Sequence, residues 1–555
     1  MSTTVEFLLG SLALASSILG NDSSLPTVDL GYQIHRAISL DETFNTYNFT
    51  NIPYAEPPLG PLRFKAPIPP RGRKSEVQDG SIGKICPQAN TKWNGMGSQF
   101  AAAYAADRLP FNYTQAEETL SNSPPRAMDP RVTEDCLVLD VLVPKAVFHE
   151  QSKSKGAPVL VWIYGGGYAL GDKTMFGSPN DLIAATQQGE NQGAIWVAMN
   201  YRLGAFGFLS GPTLQETGTA NAGLHDQRLA LEWVQENIHK FGGDPDNVTL
   251  MGISAGGGSV MHQITAYGGL KPVPFRQAIT QSSAFVPNPG TQLQEDAFND
   301  FLSILNVSSL EEARAVDSAT LIEANAKQIA EAPHGTFIFG PTVDGDFVPG
   351  VPTKLILQGS YSKGISILSS HMSHEGIFFI DPKAIDDETL LRQQLRNTFP
   401  HMSKRNFNFV FDTLYSPTYD GSYPYKTPLE RAELIIAESI FICNQNSMLK
   451  SAMQQGTAAF GYQFSIPPAL HGGDQPYIFP NGPFPDVDPT ISKFVQQTIA
   501  GFVNNGAPSE HIAGVSIPPY ATNKSVLNLV SDSPIIIPDP TANERCAWWH
   551  KALYS

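Results

Sequence analysis

Apolar residues in this chain come in short unbroken runs separated by helical repeats. Residues 158–164 (PVLVWIY), bounded by Gly156 and Gly165, and residues 194–201 (AIWVAMNY) read as buried parallel strands. A strand covered on both faces has no solvent side and so no polar alternation. From Asp226 to Phe241 the residues Leu229, Ala230, Trp233, Val234, Ile238 and Phe241 recur at helical spacing, and Gly242-Gly243 supplies the stop. Asp244-Pro245-Asp246 reads as a turn into a strand over 248–251, after which glycines open another helix. Residues 364–370 (GISILSS) and 458–465 (AAFGYQFS) read as later strands. Strand and helix alternating in this way predict an α/β fold with a central, mostly parallel sheet flanked by helices. The 47 glycines and 44 prolines scattered along the chain predict long insertions hung on that sheet.

Composition narrows the picture. The 555 residues are 41% hydrophobic and 16% charged, which excludes a disordered chain and a small disulfide module. A formal net charge of −16 repels phosphate backbones, so no nucleic-acid partner is expected. The apolar run 7–20 is too short to span a bilayer and reads as part of a signal peptide over residues 1–20, with small residues at Ala13, Ala15 and Gly20. Glu6, with no Lys or Arg ahead of the run, departs from the usual positive start. Residues 21–555 are expected to form one domain. Asn-x-Ser/Thr sequons at Asn21, Asn48, Asn112, Asn247, Asn306 and Asn523 agree with a secretory route and an extracellular destination. Cys86, Cys136, Cys443 and Cys546 contain no Cys-x-x-Cys pair, leaving two disulfides or four buried thiols.

The candidate chemistry begins at Gly252-Ile253-Ser254-Ala255-Gly256, which matches Gly-x-Ser-x-Gly between a predicted strand and a predicted helix. A serine on so tight a turn is held in an unfavourable backbone conformation, and the glycines remove side chains that would collide with the elements on either side. A second signal is Tyr164-Gly165-Gly166-Gly167 directly after a buried strand, where bare backbone N–H groups suit an oxyanion. Gly165, Gly167 and Gly171 miss the dinucleotide-binding spacing by one residue, so no nucleotide cofactor is expected.

Several blocks taken together resemble the type-B carboxylesterase family, which includes cholinesterases and secreted fungal lipases on the α/β-hydrolase fold. They are NIPYAEPP at 51–58 with Leu62-Arg63-Phe64, EDCLVLDV at 134–141, NYRLGAFGFL at 200–209, the long block at 221–258, and Gln281-Ser282-Ser283, all in family order. The resemblance covers most of the chain and implies a serine ester hydrolase whose nucleophile, acid and histidine follow one another along the sequence.

On that resemblance the acid is expected at Glu375, past the predicted strand 364–370, and the base at His471, beside Gly472 after the strand 458–465. Asp344 and Asp346 read instead as a solvated turn. His371 and His374, in HMSHE, lack zinc-site spacing and read as loop residues, so no metal is expected. The oxyanion hole is assigned to the backbone N–H groups of Gly166, Gly167 and Ala255. The resemblance also implies a Cys86–Cys136 bridge, which leaves Cys443 with Cys546. The enclosed segment 86–136 is expected to be a lid loop, since it carries Trp93, Met96, Phe100, Tyr104, Leu109, Phe111 and Tyr113 and could meet a lipid interface; spacing alone fits a decorated surface loop equally well.

Relatives commonly carry Glu before the nucleophile; here it is Ile253, which favours neutral, apolar small-molecule or lipid esters over cationic ones. Water and an alcohol both resolve an acyl-enzyme, so a biosynthetic transacylase or lactone-processing enzyme is a second reading. A non-catalytic adhesion protein is a third, set against the presence of Ser254, Glu375 and His471 together.

Overall fold

The computed structural model describes residues 25–123, 128–150, 156–187, 191–285, 290–485, 487–531 and 533–555. The predicted signal segment 1–20 and the sequon at Asn21 lie outside the described residues. Among those described, eleven strands form one sheet: β1 (Ser39–Asp41), β2 (Thr46–Pro53), β3 (Val138–Pro144), β4 (Ala157–Ile163), β5 (Ile195–Met199), β6 (Gly243–Ile253), β7 (Gln277–Gln281), β8 (Ser366–Met372), β9 (Ala459–Phe464), β10 (Ser525–Leu529) and β11 (Ile535–Pro538). Their spatial order is β1-β2-β3-β5-β4-β6-β7-β8-β9-β10-β11. The strands from β5 to β10 run parallel, and antiparallel pairs lie at both margins. Every residue of β5 and β7 is buried; β5 reads accordingly as an unbroken apolar run in the sequence, whereas β7 carries the buried Gln277 and Gln281 at its ends.

Four helices matter for the site: α1 (Lys92–Ala105), α2 (Ala222–Asn237), α3 (Ala255–Thr265) and α4 (Pro428–Ala437). The α2 helix starts four residues ahead of the predicted Asp226, because Asn221 takes a left-handed conformation (φ 56°) and its amide is tied to Thr342. It gives way to a 3-10 turn that ends at Gly242, whose φ of 91° supplies the predicted stop. The turn expected at Asp244-Pro245-Asp246 is present, set inside β6, which already runs from Gly243: the Asp246 N–H donates to Asp244 Oδ1 at 3.0 Å, and regular pairing resumes at Val248 after a register shift between Ala157 and Val159. The ladder there accommodates the proline at an irregularity.

Two further expectations change. The segment 86–136 is not a bare loop: it contains α1 and a second helix at Tyr113–Ser121, with Trp93, Met96 and Phe100 spaced to share the buried side of α1. His371 is not a loop residue. It is buried within β8, where its Nδ1 meets Gln445 Oε1 at 2.8 Å, while His374 lies past the strand against the Tyr104 ring.

The apolar interior has two parts. One surrounds the sheet and holds Trp162, Ile253 and Leu250; the other is a helical layer holding Trp93, Phe100, Phe379, Phe441 and Trp549. Cys86–Cys136 closes the segment that contains α1, and Cys443–Cys546 joins the helix that follows α4 to the last helix of the chain. No helix among the described residues is long and apolar enough to cross a membrane.

Candidate active site

The expected site residues all emerge from the carboxyl ends of parallel strands, where open α/β sheets leave a crevice. Gly165–Gly167 follow β4, Ser254 follows β6, Glu375 follows β8 and His471 follows β9. Ser254 sits at φ 56°, ψ −123° at the start of α3. Its turn is possible only because its neighbours are bare: a Cβ on Gly256 would lie 2.1 Å from the Ile163 carbonyl oxygen, and one on Gly252 2.4 Å from the Gly256 carbonyl oxygen. The Ser254 N–H donates to the Gln281 carbonyl at 2.9 Å, fixing the turn to β7. Strain of this kind persists where surrounding contacts over-determine the backbone.

The structure brings the three predicted side chains together. His471 Nε2 lies 2.9 Å from Ser254 Oγ, and His471 Nδ1 lies 2.5 Å from Glu375 Oε2. The other oxygen of Glu375 accepts the Met372 N–H at 2.7 Å. Burial alone would raise the Glu375 pKa, but the facing imidazole and the Met372 N–H outweigh it and leave the carboxyl below its ordinary value. A carboxylate so held fixes which imidazole nitrogen carries the proton and leaves Nε2 facing the serine. Gly166 and Gly167, both with positive φ, border the same cavity as Ser254 and Ala255.

Other groups that the sequence did not single out complete the surroundings. The rings of Phe379 and Phe441 stand 5.2 and 4.6 Å from the His471 ring, so an apolar layer brackets the imidazole. Phe379 closes the short 3-10 turn Ile377–Phe379 that follows Glu375, but no one-dimensional pattern points to Phe441. Asp474 is fully buried and accepts from Gln281 Nε2 at 2.9 Å; burial raises its pKa to about 6. Asp344 is engaged in its own turn, accepting the Asp346 and Val348 N–H groups and the Asn221 amide. Ile253 is buried and lines the cavity beside Ser254, with no carboxylate in its place.

The cavity is about 1100 Å³, and Phe285, Phe337, Phe379, Phe441 and Leu470 supply much of its apolar lining. Polar groups such as Asp296, Lys327 and Asn397 also border it. A nucleophile with a base in contact, an acid behind the base and an apolar cavity in front is an arrangement suited to acyl transfer.

Comparison with known proteins gives the family and the fold. The Carboxylesterase family profile matches residues 35–549. The chain is 42% identical over 546 residues to carboxylesterase patB of Aspergillus clavatus, covering 96% of this chain and 97% of that protein. It is 39% identical over 556 residues to carboxylesterase patB of Penicillium expansum, with 96% and 97% covered. The solved structure of Aspergillus niger EstA superposes with a TM-score of 0.77 at 24% identity, covering 95% of this chain and 98% of that one, a likeness of fold.

Proposed function

The chain belongs to the carboxylesterase family and is a serine carboxylic ester hydrolase, and from that premise we propose that it cleaves neutral, apolar esters through an acyl-enzyme on Ser254. The contact of Ser254 Oγ with His471 Nε2, backed by Glu375, is the observation that carries the reading. His471 takes the serine proton as Oγ adds to the ester carbonyl carbon. The carbonyl oxygen becomes an oxyanion, received by the N–H groups of Gly166, Gly167 and Ala255. His471 then hands the proton to the leaving alcohol oxygen, the acyl–alkoxy bond breaks, and the acyl group remains on Ser254. Water repeats the sequence in reverse and releases the acid. Each oxyanion donor is worth about 3 kcal/mol of transition-state stabilisation, and Glu375 stabilises the imidazolium as it forms.

The substrate class follows from the walls. With Ile253 in place of an acid, the residue before Ser254 supplies no carboxylate to offset the desolvation of a cation there, so an uncharged acyl or alcohol group fits better next to the nucleophile. Secretion is the reading for the destination, supported by the apolar stretch 7–20 and by two disulfides.

An aryl or alkyl phosphonate ester tests the nucleophile. Covalent labelling that maps to Ser254 and abolishes turnover is expected; a label on Ser259, Ser282 or Ser283 overturns the assignment. Adding a competing alcohol to the ester assay separates the second reading, because an acyl transferase would yield the new ester in place of the free acid.

A further inference from the structure

Part of the cavity is built from two loops that meet far from each other in sequence. The oxyanion loop runs on from Gly171 to Met175 and Phe176, and the His471 loop runs on from Gly472 to Pro483, Phe484 and Pro485; all but Gly171 line the cavity. Phe484 stacks on Phe176, centroids 6.2 Å apart and planes 25° from parallel. Phe176 is fixed from behind: it stacks on Phe479 at 6.1 Å and meets the buried Trp162 edge-on at 5.8 Å.

The base of the second loop is also fixed. Asn481 Nδ2 donates to Asp181 at 2.5 Å, and Gly482 N–H donates to the Phe479 carbonyl at 2.9 Å. Gly177 and Gly482 pack so closely that a Cβ on Gly177 would lie 2.5 Å from the Gly482 Cα. Phe484 itself is half-buried between two exposed prolines, so its ring is supported by Phe176 and the cavity rather than by the core. A wall whose back is rigid and whose front ring can be truncated without entering the core is a place where substrate length can be set.

Which half of the ester meets this wall follows from proton transfer. His471 Nε2 must reach the oxygen of the departing alcohol, so the alcohol leaves along the His471–Gly472 side, and Gly472 has no side chain to obstruct it. The imidazole ring also meets Phe379 and Phe441, which line the cavity beside it. We propose that Phe484, stacked on Phe176, is a specificity-determining residue that limits the length of the alcohol half of the ester. The proposal rests on the assignment of Ser254 and His471 given above.

Two ester series test it in the wild type, in Phe484→Ala and in Phe484→Leu: butyrates of alcohols from methyl to octyl, and ethyl esters of acids from acetate to octanoate. In Phe484→Ala, kcat/KM for the hexyl and octyl butyrates is expected to rise about tenfold relative to ethyl butyrate, with Phe484→Leu intermediate. The acyl-length profile should stay as in the wild type. So should kcat for an activated aryl butyrate limited by breakdown of the common acyl-enzyme, because the alcohol has by then departed. An unchanged alcohol profile in folded variants, or a shift confined to the acyl series, overturns the proposal. A wild type that is not labelled at Ser254 by the phosphonate would fail the underlying assignment instead, so the two failures are distinguishable.

Discussion

Glu433, in the middle of α4, and Gly376, one residue past Glu375, are locked together. A Glu433 carboxyl oxygen accepts the Gly376 N–H at 3.1 Å, and the Glu433 carbonyl oxygen lies 2.4 Å from where a Gly376 Cβ would stand. The loop that carries Glu375 is thereby pressed against a buried carboxyl. Burial pushes the Glu433 pKa up to about 8; the Gly376 N–H opposes this, and the charges of Glu375, Glu438 and Glu430 add to it.

The first prediction concerns stability against pH. The folded protein holds a proton on Glu433 that the unfolded chain gives up near its ordinary value of 4.5. Stability therefore falls as pH rises from about 4.5 to about 8, and is flat in this respect outside that window. Glu433→Gln mimics the protonated group and removes this slope. The variant should match the wild type near pH 4.5 and exceed it at pH 8 by on the order of a few kcal/mol. Thermal unfolding at both pH values checks it; a difference that is the same at both would contradict the assignment.

Glu375→Gln should leave the fold intact and reduce kcat by roughly 10³–10⁴-fold, since an amide cannot stabilise the imidazolium and no longer enforces the productive tautomer. Steady-state kinetics with an activated ester measures it. A variant within tenfold of the wild type would shift attention to Asp474, the other buried acid beside the histidine loop.

Ser254 was legible in the sequence because its constraint is local. The strand, the bare Gly252 and Gly256 and the following helix are consecutive in the chain; Gly252 is required by a contact inside that unit, with the Gly256 carbonyl, and Gly256 by the Ile163 carbonyl of the adjacent β4. Glu375 and His471 are legible only as loop residues past strands whose order a family resemblance supplies. Glu433 and Phe441 were invisible, because each looks like an ordinary position of an amphipathic helix until packing brings it to the site. His371 was misread for the same reason: its burial depends on Gln445, 74 residues away in sequence. The turn at 244–246 was legible because it is local, the Asp246 N–H closing on Asp244 Oδ1, whereas the pairing of Gly243 with Ala157 that sets it inside a strand is not.

Both disulfides should be found by peptide mapping under non-reducing conditions, pairing Cys86 with Cys136 and Cys443 with Cys546. The second spans 103 residues, so a Cys443→Ser, Cys546→Ser double variant should lose about 4–5 kcal/mol by the chain-entropy argument. Denaturant unfolding gives the value. A loss under about 1 kcal/mol would mean that the helical layer holds the chain terminus without the bridge.

The sequons divide by exposure. Asn112, Asn306 and Asn523 are exposed, whereas Asn48 lies half-buried in β2 between β1 and β3, and Asn247 lies half-buried in β6. Expression through a eukaryotic secretory pathway should give glycans at the three exposed sites and none at Asn48 or Asn247, read by mass spectrometry after N-glycosidase treatment in heavy-oxygen water. Occupancy at Asn48 in folded, active enzyme would contradict its placement inside the sheet.

Finally, the segment closed by Cys86–Cys136 should act as a lid. Trp93 and Phe100 of α1 are buried in the helical layer and Met96 is buried on the same helix, while Tyr104, Phe111 and Tyr113 are half-buried and Leu109 is exposed. Two polar ties hold α1 in place: Trp93 Nε1 donates to the Thr336 carbonyl at 2.9 Å, and Lys92 pairs with Glu331, which borders the cavity. Uncovering Trp93 and Phe100 costs roughly 1.5–3 kcal/mol each in water, a cost that an apolar interface can offset by receiving the same rings. The exposed ion pair adds little to it. Rate against concentration for a sparingly soluble ester should therefore jump where the substrate begins to aggregate. Trp93→Phe keeps an aromatic ring but drops the tie to Thr336, so it should raise the rate below that point and shrink the jump. Smooth saturation in the wild type through the solubility limit would show that α1 stays in place during turnover. It would also move the preferred substrate from aggregated lipid to soluble esters, without touching the roles of Ser254, Glu375 and His471.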